Sequence, residues 1–295
     1  MTPDLLIRKF SDLKTWGTGG RRAPNKPLLI LFALGKLESE KVKRLSFADV
    51  EESYRILLRN YGRTGNPNPH PEHAFYRLAN DCDGSIWSIC DPNSVLVKNA
   101  SGDVRISDLR DPKVDGGFSP DVLETFDRNP DLPGKLAEHI LSDHFPSSLH
   151  SDILNSVGIT SPHSGILPRR RGQKFRPNVL AAYGHQCAVC RFAMRLKDVS
   201  VALEAAHIKW HQAGGPDEIY NGLALCCLHH KLFDCGAFTI SEDFRLEASP
   251  WANSTGEGEN AVFDFDGKDI LVPKIPERYP HGEFLRWHKS EVFKS

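Results

Sequence analysis

Cysteine and histidine supply the first chemical signal in this chain. Cys187-x-x-Cys190 is followed further along by Cys226-x-x-His229. Donors separated by two residues turn inward together at a tight knuckle, so two such pairs complete a tetrahedron around a metal ion. Three thiolates and one imidazole make a closed, structural zinc site with no position left for a substrate. Cys227 competes as a ligand, but only Cys226 keeps the two-residue spacing to His229. A total of seven cysteines is odd, which suits metal binding in a reducing compartment better than a disulfide framework. Cys82, Cys90 and Cys235 have no partner pattern and are expected in cores.

Inside the loop closed by that knot lies Val201-Ala-Leu-Glu-Ala-Ala-His207-Ile-Lys-Trp, then the turn-rich Gly214-Gly215-Pro216-Asp217. Asn221-Gly-Leu-Ala-Leu-Cys226-Cys-Leu-His229-His230-Lys-Leu-Phe233-Asp234 completes it. Val201 to Ala205 reads as a strand delivering His207 at its end. Asn221 is expected to open a second short strand, and His229 and His230 to begin a helix. Adjacent helical residues point about 100° apart, so one histidine can face the metal while the other faces a separate cleft.

This order resembles the HNH nuclease family over roughly Cys187 to Asp234. The resemblance implies a ββα-metal finger in which Cys187, Cys190, Cys226 and His229 hold structural zinc. It makes His207 the general base that activates water against a phosphodiester, and Asn221 the residue that holds the loop and orients it. His230 becomes a ligand of a catalytic divalent cation, Mg²⁺ or Mn²⁺. Such a cation offsets charge on the phosphate and leaving oxygen, and an imidazole titrates near working pH. The sequence departs from the family at Ala206, where many members place an acidic metal ligand directly before the base. Glu204 or Asp234 is left to replace it. His185, His211 and His288 have no motif support and are expected at the surface.

A chain of 295 residues has room for two domains. Apolar runs at helical spacing cover Leu5–Leu13, Pro27–Leu37, Phe47–Leu58 and Leu132–Phe145. Pro27 sits in a first turn that tolerates it, and Ser46 is a natural cap. Ser85–Ile89 and Val95–Val97 read as short strands, and Gly62–Pro71 as an exposed loop. Gly158–Pro168 lacks periodicity and reads as linker. Lys and Arg number 37 against 38 Asp and Glu, a net charge of −1, so a nucleic-acid surface must be local rather than global. Local basic clusters exist at Arg21, Arg22 and Lys26, and at Arg169–Arg171 with Lys174 and Arg176. No apolar run is long enough to span a membrane. The N-terminus lacks signal-peptide character, which implies a cytoplasmic location.

The first half carries a second resemblance. Arg21-Arg-Ala-Pro-Asn25-Lys26-Pro27-Leu-Leu-Ile-Leu-Phe-Ala-Leu-Gly35, Pro71-Glu-His-Ala74-Phe-Tyr-Arg-Leu78 and Phe145-Pro-Ser-Ser-Leu-His-Ser-Asp-Ile-Leu154 resemble the signatures of the sulfur-binding domain of phosphorothioate-dependent restriction endonucleases. The implied target is duplex DNA in which sulfur replaces a non-bridging phosphate oxygen. The resemblance places Pro71, Ala74 and Lys26 around the sulfur, Asn25 and His70 beside it, and Arg21 and Arg22 on phosphates. Lys26 keeps the charge of the arginine found in some members but loses its planar fork.

The resulting expectation is an α+β protein. A helix-rich N-terminal DNA-reading domain spans 1–157, a linker 158–173, and a ββα-metal HNH nuclease domain 174–295. Cutting both strands with one active site per chain implies a homodimer. The competing readings are an HNH nuclease that recognises another mark, such as methylcytosine, and a non-cleaving zinc-containing DNA-binding protein.

Overall fold

The computed structural model describes residues 1–13, 24–62, 68–100, 102–159, 174–256 and 261–295. The chain divides into two compact units, one of Met1–Phe145 with His150–Ile166 and one of Pro146–Leu149 with Leu167–Ser295. Arg21, Arg22 and Arg169–Arg171, with most of the expected linker, lie outside the described residues.

The first unit is built from α1 (Pro3–Ser11), α2 (Asn25–Glu40), β1 (Arg44–Ser46), α3 (Phe47–Tyr61), α4 (Pro71–Arg77), β2 (Trp87–Cys90), α5 (Ile106–Leu109), β3 (Asp115–Phe118), α6 (Pro120–Arg128), α7 (Leu132–His144) and α8 (His150–Val157). Pro27 to Gly35 of α2 are all buried, as a helix apolar on every side must be. Pro27 lies in its first turn, where a missing N–H breaks no helical bond. α2 packs on α3, α4, α7 and α8. The strands form an antiparallel sheet in the order β1-β3-β2, and Phe75, Trp87, Phe118 and Phe126 run along it edge to face.

One expected strand is absent. Val95–Val97 is irregular because the Asp91 carboxylate accepts the N–H groups of Val95 and Leu96 at 2.9 and 3.0 Å, a local alternative to a strand ladder.

The second unit contains α9 (Phe175–Ala182), β4 (Met194–Leu196), β5 (Val199–Val201), β6 (Leu203–His207), β7 (Gly222–Cys226), α10 (Cys227–Asp234), β8 (Phe238–Ile240), β9 (Leu246–Ala248) and α11 (Gly282–Glu291). The strand expected over Val201–Ala205 is two strands, because Ala202 takes a left-handed φ of 54° and bends the chain between them. β6 then pairs with β7 antiparallel, from Leu203 opposite Cys226 to His207 opposite Gly222. No side chain fits at Gly222: a Cβ there would lie 2.5 Å from Val179 of α9. This close approach lets α9 cover the ribbon, while α10 covers it from β7's far end.

Four surface or core expectations are corrected. His288 is fully buried, stacked on Phe233 with centroids 3.7 Å apart and hydrogen-bonded to Thr239 and the Phe233 carbonyl. Its ring is a packing unit whose nitrogens are both satisfied, which periodicity alone does not reveal. Cys90 is exposed, while Cys82 and Cys235 are half-buried, so none of the three is a fully buried core cysteine.

Candidate active site and metal centre

α10 begins directly where β7 ends, so one strand-to-helix corner presents Cys226, His229 and His230 together. The knuckle after α9 brings Cys187 and Cys190 to the same corner. The four ligand atoms of Cys187, Cys190, Cys226 and His229 all lie within 4.8 Å of one another. His229 donates from Nε2 to the Ala261 carbonyl at 2.7 Å, which leaves Nδ1 as the ligating lone pair, 3.0 Å from the Cys226 sulfur. That outer hydrogen bond is the device that fixes the tautomer of metal-bound histidines.

The Cys226 thiol is pulled down to about 3, first by the hydrogen bond from Cys187, against the opposing effect of burial and with help from His229. Cys187 is pushed up by that same bond and by burial. The thiols thus share one hydrogen-bonded proton set, and a bound cation would ionise them together. The donor set fits a tetrahedral metal ion.

On the other side of α10, His230 stands between two carboxylates. Nδ1 donates to Glu204 at 2.5 Å and Nε2 to Asp234 at 3.1 Å. Burial is the largest single influence and disfavours the charged ring, but the charges and hydrogen bonds of Asp234 and Glu204 together outweigh it and push His230 up to about 10. The carboxylates are not equivalent. Asp234 is buried to 1 % side-chain exposure and also accepts from Trp210 Nε1 and Ser148 Oγ. Glu204 has a side chain 49 % exposed and is held low chiefly by its hydrogen bond from His230. Asp234 thus backs the imidazole, and Glu204 opens toward solvent beside Nδ1.

His207 ends β6 with its ring flat against Phe175, centroids 3.9 Å apart at 13°. Its Nε2 donates to Asp217 Oδ1 at 2.8 Å. Asn221 is fully buried. Its Oδ1 accepts from the Lys209 N–H, and its Nδ2 donates to the carbonyls of Lys209 and Pro216 at 3.0 Å each. It therefore clasps both ends of the loop that carries Asp217. Gly215 is required within that clasp, since a Cβ there would lie 1.8 Å from the Lys209 carbonyl oxygen.

His207 and His230 line one cleft of about 30 Å³ with Ala205, Trp210, His211 and Asp234. That volume admits roughly one or two waters. His211 is a surface residue, as expected, but its ring lies 6.2 Å from that of His207, which motif spacing did not reveal. Asp217 was likewise legible only as part of a turn. The cleft thus lies beside a ββα finger whose four clustered ligands could hold a metal ion.

In the first unit, the residues expected around the sulfur fall on the starts of two packed helices. Asn25 opens α2, and its carbonyl accepts from the Tyr54 hydroxyl at 2.7 Å. Lys26 donates to both oxygens of Asp81, at 2.6 and 2.8 Å. His70 precedes α4, exposed, with Nδ1 donating to Glu72 at 2.8 Å and its ring stacked on His73. Pro71 and Ala74 are buried in the first turn of α4. The approach to that turn is held by Arg55, which donates to the Pro69 carbonyl and is itself paired with Glu51, as is Arg110. Sequence reasoning missed Asp81 and Arg110, whose partners Lys26 and Glu51 come from other elements, and also the local pairs His70–Glu72 and Arg55–Glu51, which motif spacing did not single out.

Residues 187–241 match the HNH endonuclease family. Residues 3–162, more than half of the chain, match the ScoMcrA-like, DNA sulfur-binding domain family, and the chain belongs to that family. No curated protein sequence matches it. Among solved structures, the sulfur-binding domain of ScoMcrA complexed with phosphorothioated DNA aligns with a TM-score of 0.44 and 16% identity, over 52% of this chain and 94% of that one. The corresponding domain of SprMcrA gives 0.43 and 20%, over 54% and 95%. A modification-dependent restriction endonuclease, TagI, gives 0.30 and 25%, over 42% and 39%. The assignment rests on the sequence matches. No helix among the described residues is long and apolar enough to cross a membrane.

Proposed function

We propose that this protein is a modification-dependent endonuclease in which residues 1–157 bind phosphorothioate-bearing duplex DNA and residues 174–295 hydrolyse a phosphodiester nearby. The observation that carries this reading is the cleft shared by His207 and His230, in a chain whose other half belongs to the sulfur-binding family.

His207 is the general base. Water attacks phosphorus and loses its proton to the imidazole, and the ester oxygen opposite leaves with the bonding electrons and takes a proton from solvent. A divalent cation such as Mg²⁺ or Mn²⁺, when bound, offsets charge on the phosphate and leaving oxygen. A bound cation would displace the proton that His230 Nδ1 shares with Glu204, so that Nδ1 and Glu204 together would hold it, with Asp234 fixing the ring from behind. Asn221 is a positioning residue. Cys187, Cys190, Cys226 and His229 would hold zinc, the ion best matched to three thiolates and an imidazole.

Sulfur is larger, more polarisable and more weakly hydrated than oxygen, so an apolar wall favours it. Pro71 and Ala74 supply that wall, with Asn25 and His70 at its edge. An ammonium has three donors, and Lys26 spends two on Asp81, leaving a third for the modified phosphate. Arg21 and Arg22 contact neighbouring phosphates. Two copies of the chain supply the two cuts of a duplex break.

The test is incubation of one plasmid, prepared with and without phosphorothioate links, with Mg²⁺ or Mn²⁺. Cleavage of the modified plasmid alone is expected, with His207→Ala slower by about 10²–10⁴-fold. Equal cutting of both plasmids overturns the sulfur reading, and equal rates for both proteins overturn the catalytic one.

A further inference from the structure

We infer that Asp217 is the positioning residue that fixes the tautomer of the general base, so that Nδ1 of His207 is the nitrogen that takes the proton from water. The inference deepens the proposed function and rests on His207 being the base.

A carboxylate can only accept, so the 2.8 Å contact places a hydrogen on Nε2 and the basic lone pair on Nδ1. Two other contacts hold the ring in that orientation. Phe175 stacks on its face, and β6 is fixed by its pairing with β7, where His207 lies opposite Gly222.

Asp217 is itself placed from behind. Asn221 Nδ2 donates to the carbonyl of Pro216, the residue immediately before Asp217, and the Asn221 carbonyl accepts from Ile208 N–H, the residue immediately after His207. Asn221 therefore bonds the main chain on either side of the pair. It sets the separation between the base and its carboxylate, and its influence on His207 passes through Asp217.

Among the described residues, the other titratable groups that line the cleft with His207 are His211, His230 and Asp234, and on the packed α9 the Arg176 guanidinium donates to the Leu203 carbonyl of β6. Within hydrogen-bonding distance of Nε2, the structure places Asp217. A carboxylate accepting from an imidazole has two effects. It selects one tautomer of the neutral ring, and it favours the imidazolium formed when the base has done its work.

Asp217→Asn keeps the shape but lets an amide N–H face Nε2, which moves the ring hydrogen to Nδ1 and removes the basic lone pair from the cleft. The wild-type protein, labelled at histidine nitrogen, is expected to give the Nε2–H signature for His207 by NMR. Asp217→Asn is expected to invert it, to shift the His207 titration and the acid limb of the cleavage profile to lower pH, and to cut about a hundredfold or more slower. Asp217→Glu should restore part of the rate and the wild-type tautomer.

An Nδ1–H signature in the wild type overturns the inference without need of any variant. So does an Asp217→Asn protein with unchanged tautomer and pH profile while His207→Ala is inactive. If His207→Ala cuts as well as the wild type, the base assignment itself fails.

Discussion

At the scale of single residues, the division of labour between two carboxylates is what the site turns on. Asp234 is buried and spends its oxygens on Trp210, Ser148 and His230. A group so occupied orients its neighbour better than it binds a cation. Glu204 has half of its side chain in solvent beside His230 Nδ1. Glu204→Gln is therefore expected to weaken Mn²⁺ binding about tenfold or more while leaving the thermal unfolding of the protein nearly unchanged. Titration by calorimetry or Mn²⁺ relaxation checks both. A variant that binds Mn²⁺ as tightly as the wild type removes Glu204 from the cation seat. The absence of an acidic residue at 206 has a structural counterpart as well. Ala206 is fully buried and pairs opposite Leu223, so a carboxylate there would need a cation or lose its hydration, whereas Glu204 lies on the same strand at an open position.

At the scale of elements, the finger is a short ribbon and one two-turn helix, too little to bury much apolar surface by itself. Cys187, Cys190, Cys226 and His229 cluster at the corner joining β7 to α10, so a metal ion bound there would supply folding energy. Removing zinc with a strong chelator, or substituting Cys226→Ser, is expected to unfold residues around the finger and abolish cleavage even with excess Mg²⁺. Loss of zinc by metal analysis and loss of a cooperative transition by calorimetry should coincide. An unchanged transition in a zinc-free protein would show that the cluster is dispensable for folding. The loop between β6 and β7 follows the same logic with a hydrogen-bonding clasp in place of a metal, since Asn221 closes it with three bonds to the main chain.

At the scale of the whole molecule, each half has its own way of holding its working residues still. In the first unit, Glu51 is nearly buried and paired with both Arg110 and Arg55, and Arg55 in turn holds the backbone that leads into α4. The hydrogen bond from Arg110, opposed by burial and aided by the charges of both arginines, sets the Glu51 carboxyl below its ordinary 4.5. A carboxyl lowered by folding contributes stability that is present above its unfolded pKa and is lost as pH falls through its folded one. Glu51→Gln should thus cost about 1–2 kcal/mol near neutral pH. It should also flatten the decline in stability that the wild type shows on acidification below about pH 5. Urea unfolding at a series of pH values measures both. Parallel curves for the two proteins would mean that Glu51 titrates as an exposed carboxyl does.

What the sequence determined by itself was local: the metal-ligand pairs, the helical runs of α2 and α3, and the strand-to-helix corner that separates His229 from His230. These depend on spacing within a turn or two, and spacing is fixed by covalent geometry. The tertiary structure decided the rest. It paired His207 with Asp217, set Glu204 and Asp234 on opposite sides of His230, engaged Lys26 with Asp81, and buried His288. Asp234 reaches His230 from one turn along α10, but the other pairings join residues from different elements, so they exist only once strand register and helix packing have been settled by the burial of the core. A polar residue's type says what it can bond to, and only the packed chain says which partner is within reach.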